Sequence, residues 1–383
     1  MELYVHFPFC KQKCTYCDFA SFAGQEAQME VYVDALISEA VARVPECSES
    51  ITTVYFGGGT PSLLPAYLLR KLFTGLSFHL PMEHVTEFTM EANPGTLNRA
   101  WLEAAMEAGM NRLSMGMQAY QNDLLALLGR IHRFGEVSSS LAMAREAGLE
   151  NISLDLMFGI PTQTLSQWQE TMDAALRLEP SHISTYGLIP EEGTPLYARL
   201  QDHTLELPAP EEERAMYEET LQTLASHHFV QYEISNFSLP GKQCRHNIGY
   251  WRQTPYLGLG VSAASMLDVR ISDEGMRYTR AQNPNTLEAY FAGVRQHPGS
   301  LGEKTRIEPA EARFETMMLG LRMNEGVCET DFLQMHKMTP LQAFGEKLER
   351  SVRNGLLEKK GNWWRLTRRG MDFQNQVLVE LMD

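Results

Sequence analysis

Apolar and polar positions in the first half of the chain fall into a repeating pattern. Short apolar or β-branched runs lie at 3–6, 52–56, 85–91, 112–117, 152–157 and 182–188. Longer amphipathic stretches separate them, at about 28–43, 66–78, 99–108, 135–147 and 166–178. Strand-like runs alternating with helix-like ones predict a parallel sheet built through right-handed crossovers. Six such units fall short of the eight that close a barrel. The expected fold is an α/β, partial (β/α)6 barrel of the TIM type.

The pattern then changes. Pro208, Pro210 and the acidic run 211–213 open a helix reaching about 226, and irregular, strand-rich chain follows to about 272. From about 306 three helices are predicted, at 309–323, 329–336 and 340–354. A hairpin at 356–367, turning at Lys360-Gly361-Asn362, and a last helix complete the chain. Helices followed by a hairpin give the C-terminal part a winged-helix-like order. The expected division is 1–205 for the barrel, 206–305 for an extension and 306–383 for the C-terminal domain.

Composition narrows the function. Hydrophobic residues make up 44% of the 383, enough for a core of this size. No apolar run approaches the roughly 18 residues of a membrane span, and the N-terminus reads as neither signal nor anchor. A cytoplasmic protein with reduced thiols is expected, whose six cysteines serve metal ligation or burial before disulfides. A net charge of −15 argues against a nucleic-acid partner. The helix before the wing mixes signs (Glu346, Lys347, Glu349, Arg350, Arg353), and the basic residues near Lys359 and Arg368 read as a solvated surface. The 21 methionines read as core filler.

Unusual residues recur where strands end, which is where a parallel barrel carries its chemistry. After the first strand stand Cys10, Cys14 and Cys17, in C-x₃-C-x₂-C spacing. A 4Fe–4S cluster usually takes four thiolates. Three leave one iron open, which S-adenosylmethionine (SAM) can chelate through its amino and carboxylate groups. A zinc site with His6 as fourth ligand is the alternative for the same residues. The second strand ends in Gly57-Gly58-Gly59-Thr60-Pro61, where missing Cβ atoms allow close approach of a ligand. Glu91 and Gln118 close the third and fourth strands, and Asp155 stands inside the fifth. A carboxylate in an apolar strand costs several kcal/mol unless partnered. Asp155 and Gln118 suit ribose hydroxyls, Glu91 suits an amine, and the fork of Arg130 suits a carboxylate.

Taken together these residues resemble the radical-SAM family of oxygen-independent coproporphyrinogen III dehydrogenases (HemN) and their heme-chaperone relatives. Tyr4-Val5-His6-Phe7-Pro8-Phe9-Cys10, the 57–61 turn, Glu91, Gln118, Arg130 and Asp155 match in order. The resemblance implies a 4Fe–4S cluster on the three cysteines. It also implies SAM contacts from Tyr4, Tyr16, Gly58, Gly59, Thr60, Glu91, Gln118, Arg130 and Asp155, with Gly187 and Ala264 on the adenosine side. Three features depart from the dehydrogenases. Phe19 stands where they carry a further cysteine, their long N-terminal extension is missing before Leu3, and Cys244-Arg245-His246-Asn247-Ile248-Gly249-Tyr250-Trp251 fits the His-Asn-x-x-Tyr-Trp pattern of the chaperones.

In that segment His246 is the candidate axial ligand for heme, Tyr250 and Trp251 offer flat faces to a porphyrin, and Arg245 could meet a propionate. A satisfied histidine between structural aromatics is the bland alternative. The expectation is a heme chaperone supplying membrane respiratory hemoproteins, with coproporphyrinogen III dehydrogenation the alternative. A homodimer is compatible with this, and the sequence leaves the oligomeric state open.

Overall fold

Six parallel strands occupy the first half of the computed structural model, which describes residues 1–47 and 49–382. They are β1 (Glu2–Phe7), β2 (Thr53–Gly58), β3 (Glu87–Ala92), β4 (Arg112–Gln118), β5 (Ile152–Phe158) and β6 (His182–Gly187). Each lies beside the next, in chain order. The helices Met29–Arg43, Ala66–His79, Arg99–Glu107, Phe134–Glu146 and Leu165–Leu176 connect them. A further short helix, Asn122–Leu127, follows β4.

Strand residues alternate between a buried apolar set and a buried or half-buried polar one. Leu3, Val5, Phe7, Val54, Phe56, Phe88, Met90, Leu113, Ile152 and Leu154 share one core with Leu36, Leu72, Trp101, Leu141 and Trp168 of the surrounding helices. The intervening residues are polar: Glu2, Tyr4 and His6 in β1, Thr53 and Tyr55 in β2, Glu87, Thr89 and Glu91 in β3. Arg112 and Ser114, Ser153 and Asp155, then His182 and Ser184 continue the set. Parallel strands covered on both faces usually read as unbroken apolar runs. Here the apolar core lies outside the sheet, under the helices, and the lumen is lined with hydrogen-bonding groups.

The strand-rich stretch extends this same sheet at both edges. Beyond β6 run β7 (Val230–Gln231) and β8 (Asn236–Ser238), with β8 antiparallel to both β6 and β7. Beyond β1 lies β9 (Tyr256–Leu259), parallel to it, then the antiparallel β10 (Ala264–Ser272), β11 (Gly275–Gln282) and β12 (Glu303–Ile307). Among the described residues the sheet has twelve strands.

After Ile307 come the helices Pro309–Gly320, Glu329–His336 and Pro340–Arg353, then the hairpin strands Leu357–Lys360 and Trp363–Leu366. Their own core gathers Met317, Phe332, Leu348, Trp364 and Val377. The order and the turn match the sequence expectation, with Gly361 at φ +59° where the hairpin reverses. Arg322 fastens this part to the barrel, 3.2 Å from the buried Glu233 carboxylate and 4.4 Å over the Trp251 ring. Among the described residues no helix is long and apolar enough to cross a membrane.

Candidate radical-SAM site

The loop after β1 is fixed before any cofactor is considered. Phe9–Cys10 pairs in parallel with Phe22–Ala23, and the Phe22 amide donates to the Pro8 carbonyl at 2.7 Å. On the other side Thr15 clamps to the turn after Asn122–Leu127, its amide donating to Leu128 O and its hydroxyl to Leu127 O. Cys10, Cys14 and Cys17 are half-buried free thiols on this frame. Burial pushes Cys10 and Cys17 above the usual thiol range. Thr60 Oγ1 approaches Cys10 Sγ and Arg130 Nη1 approaches Cys14 Sγ, each at 3.6 Å.

The zinc alternative finds no fourth ligand in this arrangement. His6 contacts Tyr4 Oη through Nδ1 (2.9 Å) and the Ala20 carbonyl through Nε2 (2.9 Å), so both ring nitrogens are engaged. Among the described residues no three His, Cys, Asp or Glu side chains converge as for one metal ion.

Glycines in the next loop leave space for the thiols. A Cβ on Gly59 would stand 2.7 Å from Phe7 O and 3.1 Å from Cys10 Sγ. Gly58 has φ +107°, and its Cβ would meet the His6 ring at 2.4 Å. The Gly58 amide donates to Glu91 Oε2 (3.0 Å), while Tyr55 Oη donates to Oε1 (2.7 Å). Burial, with the Asp155 charge adding to it, lifts Glu91 to about 7. Asp155 accepts from Ser114 Oγ on both oxygens (3.2 and 3.1 Å), and burial raises its carboxyl too.

Arg130 holds the opposite wall, donating to Asn93 Oδ1 (2.6 Å) and Gly116 O (2.8 Å). Asn93 passes the link on to Thr60 Oγ1 at 2.8 Å. Arg130 Nε is buried and lacks a protein partner among the described residues, as an arginine awaiting an acceptor would. Gln118 sits at φ +64°, after a register shift between β4 and β5, and its amide folds back over Gly116. That is a strained conformation for a residue with a side chain. Tyr16, within the cysteine loop, packs against the apolar cluster that holds Leu188 and Leu196.

Thus Tyr4, Gly58, Gly59, Thr60, Glu91, Gln118, Arg130 and Asp155 stand at or within one mouth of the barrel. Gly187 ends β6 against Glu213 and Phe158, and Ala264 faces a separate cavity described below. Tyr55, Asn93 and Ser114 belong to the site and carry no motif. Their one signal in sequence is the polar alternation within strands.

His246 lies elsewhere. The helix Arg245–Trp251 plugs the opposite end of the lumen, and His246 is fully buried. Its Nδ1 meets Thr53 Oγ1 at 2.8 Å, its Nε2 meets Tyr250 Oη at 2.9 Å, and its ring stacks on Tyr55 at 5.2 Å. Burial, with the Arg112 charge behind it, drives His246 down to about 3. Glu87 accepts the backbone amides of Arg245 (3.0 Å) and His246 (3.1 Å). A Cβ on Gly249 would fall 1.7 Å from Glu2 Oε1, so only glycine fits there. Both ring nitrogens of the expected heme ligand are thus engaged within the protein. Arg245, the expected propionate partner, instead donates to Thr86 Oγ1 at 3.2 Å.

Tyr250 and Trp251 do reach a cavity, of about 580 Å³. It lies between the inner face of β1 and β9–β11, the cysteine loop at Phe19 and the helix Pro309–Gly320. Tyr256, Tyr278, Met266 and Met318 add to its apolar wall.

A single metal ion would need neither a glycine cradle nor a polar lumen beneath its thiols. Three half-buried thiols in a glycine-lined loop, over a lumen of buried polar groups, are the arrangement of a radical SAM protein. Comparison with known proteins agrees. The Radical SAM superfamily model matches residues 4–175, and that of the HemN C-terminal domain matches 307–373. The heme chaperone HemW of Bacillus subtilis is 35% identical over 98% of this chain and 97% of its own length. HemW of Escherichia coli K12 is 33% identical over 99% and 97% respectively. The mitochondrial radical S-adenosyl methionine domain-containing protein 1 of Mus musculus is 31% identical over 99% and 87%. The coproporphyrinogen III oxidase HemN of E. coli superposes with a TM-score of 0.84 at 23% identity, over 99% of this chain and 89% of that one, a likeness of fold. The chain belongs to the HemW family of radical SAM proteins. Membership in the radical SAM superfamily implies a 4Fe–4S cluster and SAM.

Proposed function

We propose that this protein binds heme in the aromatic cavity beside the cysteine loop and hands it to respiratory hemoproteins, with the cluster–SAM unit controlling uptake or release. The cavity at Phe19 carries this reading. It is large enough for a planar macrocycle by the usual range of roughly 300–1,000 Å³ for ligand pockets. Its wall offers the faces of Tyr250, Trp251, Tyr256 and Tyr278. The heme chaperones named above support it by their similarity over nearly the full chain.

Cys10, Cys14 and Cys17 would hold the cluster, and the half-buried thiols, the Gly59 approach and the unpartnered Arg130 Nε fit one. Cluster and SAM, when bound, supply reductive radical chemistry. Glu91 would accept from the SAM amine, Arg130 would meet its carboxylate, and Asp155 and Gln118 would meet the ribose. His246 serves as part of the lumen floor, and heme iron finds its ligand among other groups.

Anaerobic hemin titration, beside incubation with coproporphyrinogen III, SAM and reductant, tests the proposal. Stoichiometric hemin uptake without protoporphyrinogen IX is expected. SAM-dependent decarboxylation would overturn the reading in favour of dehydrogenation.

A further inference from the structure

The heme cavity is nearly neutral along its walls, and among the described residues the one arginine or lysine in its lining is Arg280 of β11. Arg280 is 45% exposed. Its Nη2 donates to Glu315 Oε2 at 2.7 Å and to Tyr278 Oη at 3.2 Å. Tyr278 Oη donates to that same Glu315 oxygen. Glu315 is mostly buried and projects from the helix Pro309–Gly320. A carboxylate therefore already sits between a guanidinium and a phenol at the cavity wall. Burial pushes Glu315 up to about 6, so this carboxylate is held away from water. Among the described residues, Arg280 Nε and Nη1 have no hydrogen-bond partner. A guanidinium fork with donors to spare is suited to binding a second carboxylate.

We infer that Arg280 and Tyr278 form the subsite for a heme propionate, and that Glu315 occupies it as an internal stand-in until ligand arrives. The inference rests on the heme reading above. The charge balance points the same way. The chain carries −15 overall, and Asp18 and Glu315 are the cavity's acidic residues. A doubly carboxylated macrocycle entering there is repelled by both and attracted by Arg280 in the wall. Glu315 then has a signed role, because it competes with the ligand for Arg280 and repels it. The ligand's carboxylate must displace or share with it.

Hemin and hemin dimethyl ester, the same macrocycle with its carboxylates blocked, separate recognition of the propionates from recognition of the ring. Both are titrated into wild type, Arg280→Gln and Glu315→Gln, each with its cluster intact. Arg280→Gln should weaken hemin binding on the order of tenfold or more, the usual loss for a charged hydrogen bond, and should barely alter binding of the ester. Glu315→Gln should tighten hemin binding several-fold and leave the ester unchanged, a gain that misfolding cannot imitate. Equal hemin affinity in wild type and Arg280→Gln overturns the inference alone. So does an equal loss of hemin and ester, or a loss of SAM binding with hemin binding kept. A wild type that binds neither macrocycle overturns the heme reading and this inference with it.

Discussion

Replacing His246 with Ala tests whether the His-Asn-x-x-Tyr-Trp segment is a floor or a ligand. The change strips the buried Thr53 Oγ1 and the half-buried Tyr250 Oη of a partner. An orphaned buried hydroxyl costs about 1–3 kcal/mol, a large share of the roughly 5–15 kcal/mol that holds a domain together. Tyr55 also loses the ring stacked on it, and Tyr55 holds Glu91 in place. SAM affinity should therefore fall with stability. A pH signature follows from the direction of the shift. His246 is held near 3 in the fold and returns to about 6.5 when unfolded, so the unfolded chain binds the extra proton as pH falls. Above about 6.5 the residue makes no pH-dependent contribution. Below it the folded state loses about 1.4 kcal/mol per pH unit until His246 itself titrates. His246→Ala should remove one proton's share of that slope, while His132 and His182 keep theirs. Urea unfolding from pH 7.5 to 5 reads both effects, and hemin titration at pH 7.5 on the folded variant reads the third. An unchanged urea midpoint and pH slope, with hemin binding lost, would refute the floor assignment and restore His246 as a ligand.

Three further outcomes are expected. Cys14→Ala should lose the iron, sulfide and visible absorbance of reconstituted protein while Cys47→Ala keeps them, and full cluster content in Cys14→Ala would end the assignment. Asp155→Asn should fold, retain its cluster and bind SAM about 1–3 kcal/mol more weakly by calorimetry; unchanged affinity would make Asp155 structural. Glu91, lifted to about 7, must be ionised to receive the SAM amine, so SAM affinity should fall by up to tenfold per pH unit below about 7 and level off above it. A flat profile from pH 5.5 to 8, or one unchanged in Glu91→Gln, would remove that role.

The barrel was legible because its helices and strands differ in length and period, and Cys10–Cys17, Gly58–Gly59 and Asp155 stood out as candidates because each breaks a local rule. A thiol cluster, a run of glycines and a carboxylate in an apolar strand all need a reason to exist. Tyr55, Asn93 and Ser114 break no rule individually and gain their roles only when neighbouring strands bring them together. His246 reads two ways for the opposite reason. Histidine, tyrosine and tryptophan at close spacing suit a porphyrin, but they suit the floor of a polar lumen equally well. The difference lies in Thr53, Glu87 and Glu2, far away in sequence. The carboxylates that cap and crowd the Arg245–Trp251 helix were readable as strand residues, but not as its partners.

The placement of β1 sets an order of assembly. Its register partners on one side, Thr53 onward, are synthesised soon after it, whereas Glu2 meets Tyr256 only when two-thirds of the chain has been made. Closing so long a loop is slow, and nothing local rewards it beforehand. Until the helix Arg245–Trp251 arrives, Glu87 has no amides to accept and the lumen around Arg112 and His182 lies open to water from below. A chain cut after β6 would keep Cys10, Cys14 and Cys17 and nearly every proposed SAM contact, yet it would be a tube without a bottom. Cluster insertion into a nascent or truncated chain should therefore be inefficient, and loading should follow completion of the sheet.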